Sequence, residues 1–82
     1  MAGREKLLEK AHNSPDGLRF EELCRLAEFH GFQFDRQTGS HKIFVHAESG
    51  KVLNFQDKNG KAKAYQVRQF LRAVEEIYGS KE

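Results

Sequence analysis

The middle of the sequence, from Phe32 to Phe55, changes its hydrophobic spacing from a helical repeat to a repeat of two. Three short segments alternate in this way, FQFDR, KIFVH and KVLNF. Polar connections that contain glycine, QTGS and AESG, separate them, and such connections are typical of β-hairpins. The sequence therefore predicts three short antiparallel strands, none of which would be stable alone.

Helical spacing flanks this region on both sides. It predicts a first helix over residues 3–13, a second over residues 20–31 and a third over residues 65–78. The sequence SPDG at residues 14–17 places proline and glycine at the second and fourth positions of a type I turn, which ends the first helix. The third helix has the clearest apolar stripe, so it is the most strongly predicted element.

The predicted order α-α-β-β-β-α describes an α+β fold. It is a two-layer sandwich in which helices cover one face of a three-stranded antiparallel sheet and leave the other face open. At 82 residues the chain is long enough for one hydrophobic core and too short for two. Residues 1–82 are therefore expected to form a single domain.

Composition excludes several classes of protein. Hydrophobic residues make up 38% of the chain and charged residues 32%, which is too apolar for disorder and too polar for a membrane protein. No apolar run approaches the roughly 18 residues of a spanning helix, and the start MAGREKLLEK lacks a signal-peptide core, so a cytoplasmic location is expected. Cys24 is the only cysteine, which excludes an internal disulfide and a zinc site built on cysteines. Core packing is its expected role.

Positive charge is concentrated in the second half of the chain. Residues 1–35 contain five Lys or Arg and seven Asp or Glu, whereas residues 36–82 contain nine and five. A basic face there suits a polyanion, although charge of both signs also serves solubility. Lys58, Lys61 and Lys63 follow the third predicted strand, where they either track a phosphate backbone or are simply solvated.

The segment RQTGSHKIFVH groups residues that are suited to phosphate chemistry. Gly39 can adopt a positive φ and admit another molecule's backbone, and the Ser40 hydroxyl can donate to a phosphate oxygen. His41 can take or give a proton near neutral pH. Arg36 and Lys42 lie on either side of the turn and can neutralise developing negative charge.

RNA is a natural substrate for this set because its 2′-hydroxyl is a nucleophile beside each scissile phosphate. A histidine that deprotonates the 2′ oxygen, or protonates the leaving 5′ oxygen, can contribute roughly 10² to 10⁴ in rate. Such cleavage requires no metal ion and no cofactor. The simpler interpretation is that Gly39 and Ser40 form only a hairpin turn and that His41 is a partly exposed strand residue.

The other histidines are expected to be structural. His12 and His30 fall in predicted helices, where surface or hydrogen-bonded core positions are usual. His41 and His46 are five positions apart on one strand, so they should point to opposite faces and not share a metal. Most phenylalanines are expected in the core, and none is assigned to base stacking. They are Phe29, Phe32, Phe34, Phe44, Phe55 and Phe70.

The order of these features resembles the HicA family of small toxins, also called YcfA-like proteins. The resemblance covers residues 20–77, and its core motif, GFxxxRQxGSHxIFxH, stands here as GFQFDRQTGSHKIFVH without a gap. It implies a fold like a double-stranded-RNA-binding domain, an mRNA endonuclease activity (mRNA interferase) independent of translation, and neutralisation by an antitoxin of the HicB type. The family's catalytic histidine corresponds to His41, with Gly39 and Ser40 completing the motif and Phe44 as the hydrophobic position behind it.

Two departures from the family pattern bear on function. Residues 1–19 form an additional helix and turn beside a core at residues 20–78. Many relatives have a histidine near the end of the third strand, where this chain has Asn54, Phe55 and Gln56.

The leading hypothesis is a toxin that acts as a metal-independent RNA endonuclease, with His41 as the catalytic residue and with mRNA and a HicB-like antitoxin as partners. Its RNA-binding residues would be Gly39, Ser40, Lys42, Arg36, Lys61 and Lys63. One alternative is an RNA-binding module of the same fold without catalysis. Another is a domain whose open sheet binds only protein.

Overall fold

The computed structural model describes residues 3–79. Its helices are α1 (Gly3–Asn13), α2 (Phe20–Phe29) and α3 (Ala64–Tyr78). Its strands are β1 (Phe32–Thr38), β2 (His41–His46) and β3 (Val52–Gln56). A short 3₁₀ turn at Pro15–Gly17 joins α1 to α2, in the place where the sequence predicts a turn. The order α-α-β-β-β-α and the α+β class are confirmed.

The element boundaries differ from prediction mainly at the first hairpin. The sequence predicts QTGS as the connection, but Gln37 and Thr38 belong to β1 and only Gly39 and Ser40 form the loop. Two-residue loops match the twist of paired strands, so the two additional residues pair instead of looping out. At the other end of the molecule, α2 ends before Gly31, whose φ is +89°.

The three strands form an antiparallel sheet in the order β1-β2-β3, with the helices packed against one face. Four phenylalanines that the sequence assigns to the core are almost fully buried there. They are Phe32, Phe44, Phe55 and Phe70. Phe29 and Phe34 are exceptions at 42% and 50% exposed, because one ends α2 and the other lies on an edge strand.

The N-terminal helix α1 extends the helical layer and does not cover the sheet. Its buried residues Leu7 and Ala11 join the core cluster, and α1 contacts α2, α3 and the 3₁₀ turn. Lys10 forms an ion pair with Glu22 of α2 at 3.1 Å. The open side of the sheet is therefore left accessible by this additional segment.

Helix α3 forms because its apolar residues recur on one face. Val67, Phe70 and Ala73 are buried against the sheet, while Glu76 on the outer surface pairs with Lys51 at 2.7 Å. None of the helices within residues 3–79 is both long enough and apolar enough to cross a bilayer.

Candidate active site

The turn between β1 and β2 consists of Gly39 and Ser40. The φ of Gly39 is +61° and that of Ser40 is not positive, which is the pattern of a type II′ turn. The Gln37 side-chain amide donates to the Gly39 carbonyl at 2.9 Å, and the Gln56 amide nitrogen lies 3.4 Å from the Ser40 hydroxyl oxygen. The turn therefore holds an exposed hydroxyl at one end of the sheet.

His41 is the first residue of β2 and pairs with Thr38 on β1 and Gln56 on β3. Because side chains alternate along a strand and Phe44 belongs to the core under the helices, His41 points to the uncovered face. Its side chain is partly exposed, and its ring makes no hydrogen bond within residues 3–79. The imidazole is therefore accessible to a substrate from bulk water.

Arg36 reaches the same face as His41 through a β-bulge. The pairing runs from Phe34 opposite Phe44 directly to Arg36 opposite Ile43, which leaves Asp35 as the additional residue. In a regular strand Arg36 would share the helix-covered face with Phe34, but the bulge turns it to the other side. The guanidinium is exposed and forms an ion pair with Asp35.

Lys42 lies on the opposite face from His41. Its ammonium nitrogen is 5.6 Å from the ring centroid of Phe20 and 5.8 Å from that of Phe34, both on the helix side of the sheet. The two cations that flank the turn in sequence are therefore separated by the sheet. The structure places Arg36 on the same face as His41, diagonal to it, and Lys42 on the opposite face.

The lysines after β3 form a second basic region beside the turn. Asn59 and Gly60 both have positive φ and close a tight turn in which Lys58 and Lys61 exchange backbone hydrogen bonds of 3.1 and 3.0 Å. Lys61 also bridges to Arg19 in front of α2.

Lys63 follows on the same loop and holds its ammonium 5.9 Å from the Tyr65 ring. The loop is joined to the turn between β1 and β2, since the Asp57 backbone N–H donates to the Ser40 carbonyl at 2.9 Å. Lys61 and Lys63 thus lie at the His41 end of the sheet but outside its uncovered face.

The open face is defined by nine strand positions that point away from the helices. In three rows across the sheet they are Gln33, Val45 and Val52, then Arg36, Ile43 and Asn54, then Thr38, His41 and Gln56. Ile43 at the centre is 8% exposed although it does not belong to the core under the helices, so its neighbours on the open face cover it.

Sequence reasoning missed Thr38 as a neighbour of His41, and it noted Asn54 and Gln56 only as residues near the end of the third strand. Their placement depends on which residues pair across the strands, and a two-residue loop sets that register. The alternation in KVLNF indicates that Asn54 faces away from Phe55, but it does not indicate that Gln56 lies directly opposite His41.

The other residues that could bind a metal or act as a nucleophile have structural roles or are buried. Within residues 3–79 no group of three or more His, Cys, Asp or Glu side chains lies close enough to hold a metal ion. Burial raises the pKa of the Cys24 thiol to about 11, so this residue is a packed thiol and not a nucleophile. His41 and His46 point to opposite faces, as their spacing predicts, and His46 is buried.

A comparison with protein families decides the identity of the chain. The family model described as the HicA toxin of bacterial toxin-antitoxin matches residues 20–75, which is more than half of the chain. This chain belongs to the HicA toxin family. HicA proteins are the toxins of toxin–antitoxin systems and are generally RNases, so pairing with an antitoxin is implied. No curated protein and no solved structure matches the chain.

The HicA match includes every residue of the open face and the whole turn between β1 and β2. Helix α1 and the 3₁₀ turn lie outside it, and both pack on the helical layer. Beside the turn, opposite His41, this chain has Gln56, whose amide forms hydrogen bonds but does not transfer protons at neutral pH.

Proposed function

We propose that this HicA protein is an RNA endonuclease that cleaves without a metal ion and uses His41 for proton transfer. The observation that carries the proposal is the bulge at Asp35, which moves Arg36 onto the face of His41. Bulges that redirect a side chain are frequent beside active sites. The family match supports the same reaction class.

In the proposed reaction the 2′ oxygen attacks phosphorus, and the bond from phosphorus to the 5′ oxygen breaks. The 2′ oxygen loses its proton and the 5′ oxygen gains one, leaving a 2′,3′-cyclic phosphate and a 5′-hydroxyl. His41 performs one of these transfers, and water performs the other. Arg36 stabilises the charge on the phosphate oxygens, and the Ser40 hydroxyl and Gly39 backbone hold the phosphate.

The lysines after β3, here called the basic loop, are proposed to bind phosphates farther from the cut. They are Lys58, Lys61 and Lys63. Lys58 and Lys61 are joined by backbone hydrogen bonds across a tight turn, and Arg19 is bridged to Lys61, so three basic residues occupy neighbouring backbone positions. Arg19 also lies 3.9 Å from Glu21. Lys63 follows these basic residues at the start of α3. Replacing any one of these cations with alanine should reduce the salt dependence of RNA binding. Lys42 is left out of this RNA surface because its ammonium lies over aromatic rings on the other face.

The proposed substrate in the cell is mRNA in the cytoplasm, and the proposed antitoxin is of the HicB type. The support is the GSH motif and its surroundings in the sequence together with the family match. Purified HicB-type antitoxin should abolish RNA cleavage at a stoichiometric ratio. Full cleavage at excess antitoxin would contradict this pairing.

An RNA-binding module without catalysis is the second candidate. The residues paired with His41 favour this candidate. Thr38 and Gln56 provide no second group that can transfer a proton at neutral pH. In that case RNA would bind with strong salt dependence and stay intact.

The test is digestion of single-stranded RNA in excess EDTA by the wild type, His41→Ala and His12→Ala. His12 is a matched control, since it is an exposed histidine on α1 far along the chain from the open face. His41→Ala should lower the cleavage rate by about 10² or more, and His12→Ala should leave it unchanged. Products should carry cyclic phosphate ends. Equal cleavage by all three proteins would overturn the proposal, and binding without cleavage by the wild type would favour the second candidate.

A further inference from the structure

The open face carries more chemistry than cleavage requires. Besides His41, Arg36 and Thr38 it presents three carboxamides and three aliphatic side chains. The carboxamides are Gln33, Asn54 and Gln56, and the aliphatic residues are Ile43, Val45 and Val52. None of the nine positions is a carboxylate. The Arg36 guanidinium of this face is paired with the exposed Asp35 carboxylate at the bulge, so a phosphate would bind there in competition with that exposed ion pair.

Val45 and Val52 form a small accessible apolar floor at the β3 side of the open face, two rows from His41. Ile43 is covered by its neighbours, Val45 is half-buried and Val52 is 60% exposed. An unstacked nucleobase can lay its flat face on such a floor. The bases of a duplex are stacked and paired, and they present only their edges in a groove. The floor therefore suits single-stranded RNA.

The carboxamides are available to a ligand. The exposed amides of Gln33 and Asn54 make no hydrogen bond within residues 3–79, and that of Gln56 makes one contact of 3.4 Å to the Ser40 hydroxyl. A carboxamide offers donors and an acceptor side by side, which is what the edge of a base requires.

The three amides lie at different distances from His41. Neighbouring strands lie about 4.8 Å apart, and residues on one face of a strand follow each other at about 7 Å. Gln56 is directly opposite His41, Asn54 is diagonal to it, and Gln33 lies two rows away. Only Gln56 and Asn54 are therefore within reach of a nucleotide whose phosphate is at His41.

We propose that the open face binds single-stranded RNA with its bases against the sheet, and that Asn54 and Gln56 select the base beside the cleaved linkage. This inference rests on the proposed endonuclease function and deepens it, because it names the face that receives the bases and the residues that set sequence preference. Arg36 and the basic loop hold phosphates, and the two amides read a base.

The first experiment is digestion of a random single-stranded RNA pool, followed by sequencing of the cut ends. The wild type should show a base preference next to the cut, and Asn54→Ala should change that preference about tenfold. Gln56→Ala should act in the same direction. Gln69→Ala is the matched control, since Gln69 is an exposed amide on α3 in the helical layer, and it should keep the wild-type preference. An unchanged preference in both open-face variants would overturn the proposal.

The second experiment measures binding and does not depend on cleavage. In the His41→Ala background, labelled oligonucleotides of rA, rC and rU and a perfect RNA duplex are titrated with and without Asn54→Ala. Single strands should bind more tightly than the duplex, and Asn54→Ala should change the ranking of the bases. That result would support the open face even if the wild-type protein cleaved nothing. Equal binding of all these RNAs, or a ranking unaffected by Asn54→Ala, would overturn the proposal. Failure of every one of these RNAs to bind would overturn it too and would favour a protein partner for this face.

Discussion

The strand β2 carries a histidine at each end, and the two ends differ in the partners they provide. At one end His46 is 1% exposed, its Nδ1 accepts from the Ser49 backbone N–H at 3.1 Å, and its Nε2 is 2.9 Å from the Tyr78 hydroxyl. That hydroxyl donates to the His30 carbonyl at 2.9 Å. At the other end the His41 ring is partly exposed and makes no hydrogen bond within residues 3–79.

This difference separates a structural histidine from a chemical one. An N–H group only donates, so Nδ1 of His46 is unprotonated and Nε2 carries the proton toward Tyr78. Both ring nitrogens are occupied, and the ring links β2 to the end of α3. His41 has both nitrogens free within the described part of the chain, as a proton-transfer group requires, and Arg36 lies diagonal to it on the same face.

The largest expected effect is on stability at the His46 end. His46→Ala removes a buried ring and leaves the Ser49 N–H without its acceptor, so we expect a decrease of about 3 kcal/mol in the free energy of unfolding. His41→Ala should change it by less than about 0.5 kcal/mol, since that ring is partly exposed and makes no hydrogen bond among the described residues. Urea titration followed by circular dichroism measures both. Similar decreases in the two variants would break the comparison.

The two glycines nearest these histidines give the next largest effect. A Cβ at Gly31 would lie 2.9 Å from His46 Nε2 and 3.1 Å from the Tyr78 hydroxyl, whereas one at Gly39 would meet nothing within 4 Å. Both positions have positive φ, +89° and +61°, so alanine is strained at either by about 1 kcal/mol or more.

Gly31→Ala should therefore cost at least about 1 kcal/mol more than Gly39→Ala, because the His46 ring must also move. Thermal unfolding of the two variants at one pH measures the difference. Equal costs would indicate that the packing of Gly31 against His46 is loose.

Much of the fold follows from local pattern, while part of the site depends on an irregularity. The stripe of α3 and the alternation in the strands specify the layers, since each buries one apolar face. The position of Lys42 on the covered face also follows from alternation with His41. Arg36 is different, because a strict repeat of two in FQFDR groups it with Phe34, and no glycine or proline marks the bulge at Asp35. Only the pairing with β2 reveals that Arg36 shares the open face.

Arg36 and Lys42 lie on opposite faces of the sheet, so replacing each one tests which face carries the cleavage reaction. Arg36→Ala should lower kcat about tenfold, since it removes the cation on the face of His41. Lys42→Ala should change kcat less than twofold and lower stability by about 0.5–1 kcal/mol, because no ammonium then lies over the Phe20 and Phe34 rings. Steady-state cleavage of one RNA measures both kcat values. A larger decrease of kcat in Lys42→Ala than in Arg36→Ala would refute the assignment by face.

The smallest expected effect is a pH dependence of stability at the His46 end, through His30. Burial lowers the pKa of His30 from its usual 6.5 and the charge of Arg4 adds to this, while the 2.8 Å hydrogen bond to the Leu26 carbonyl opposes it. Between the lowered pKa and pH 6.5 the unfolded chain therefore binds a proton at His30 that the folded chain does not. The stability contributed by the uncharged His30 ring is complete above pH 6.5. It decreases as the pH falls from 6.5 to the lowered pKa, and it stays constant at still lower pH.

His30 changes the free energy of unfolding by at most about 1.4 kcal/mol per pH unit. His30→Asn is the control, because its amide can still donate to Leu26 but does not titrate, although it does not reproduce the edge-on packing of the ring against Phe70. The difference in unfolding free energy between wild type and His30→Asn should therefore shrink as the pH falls from 7 toward 5. A difference that stays constant over this range would show that His30 takes up its proton as readily in the folded chain as in the unfolded one.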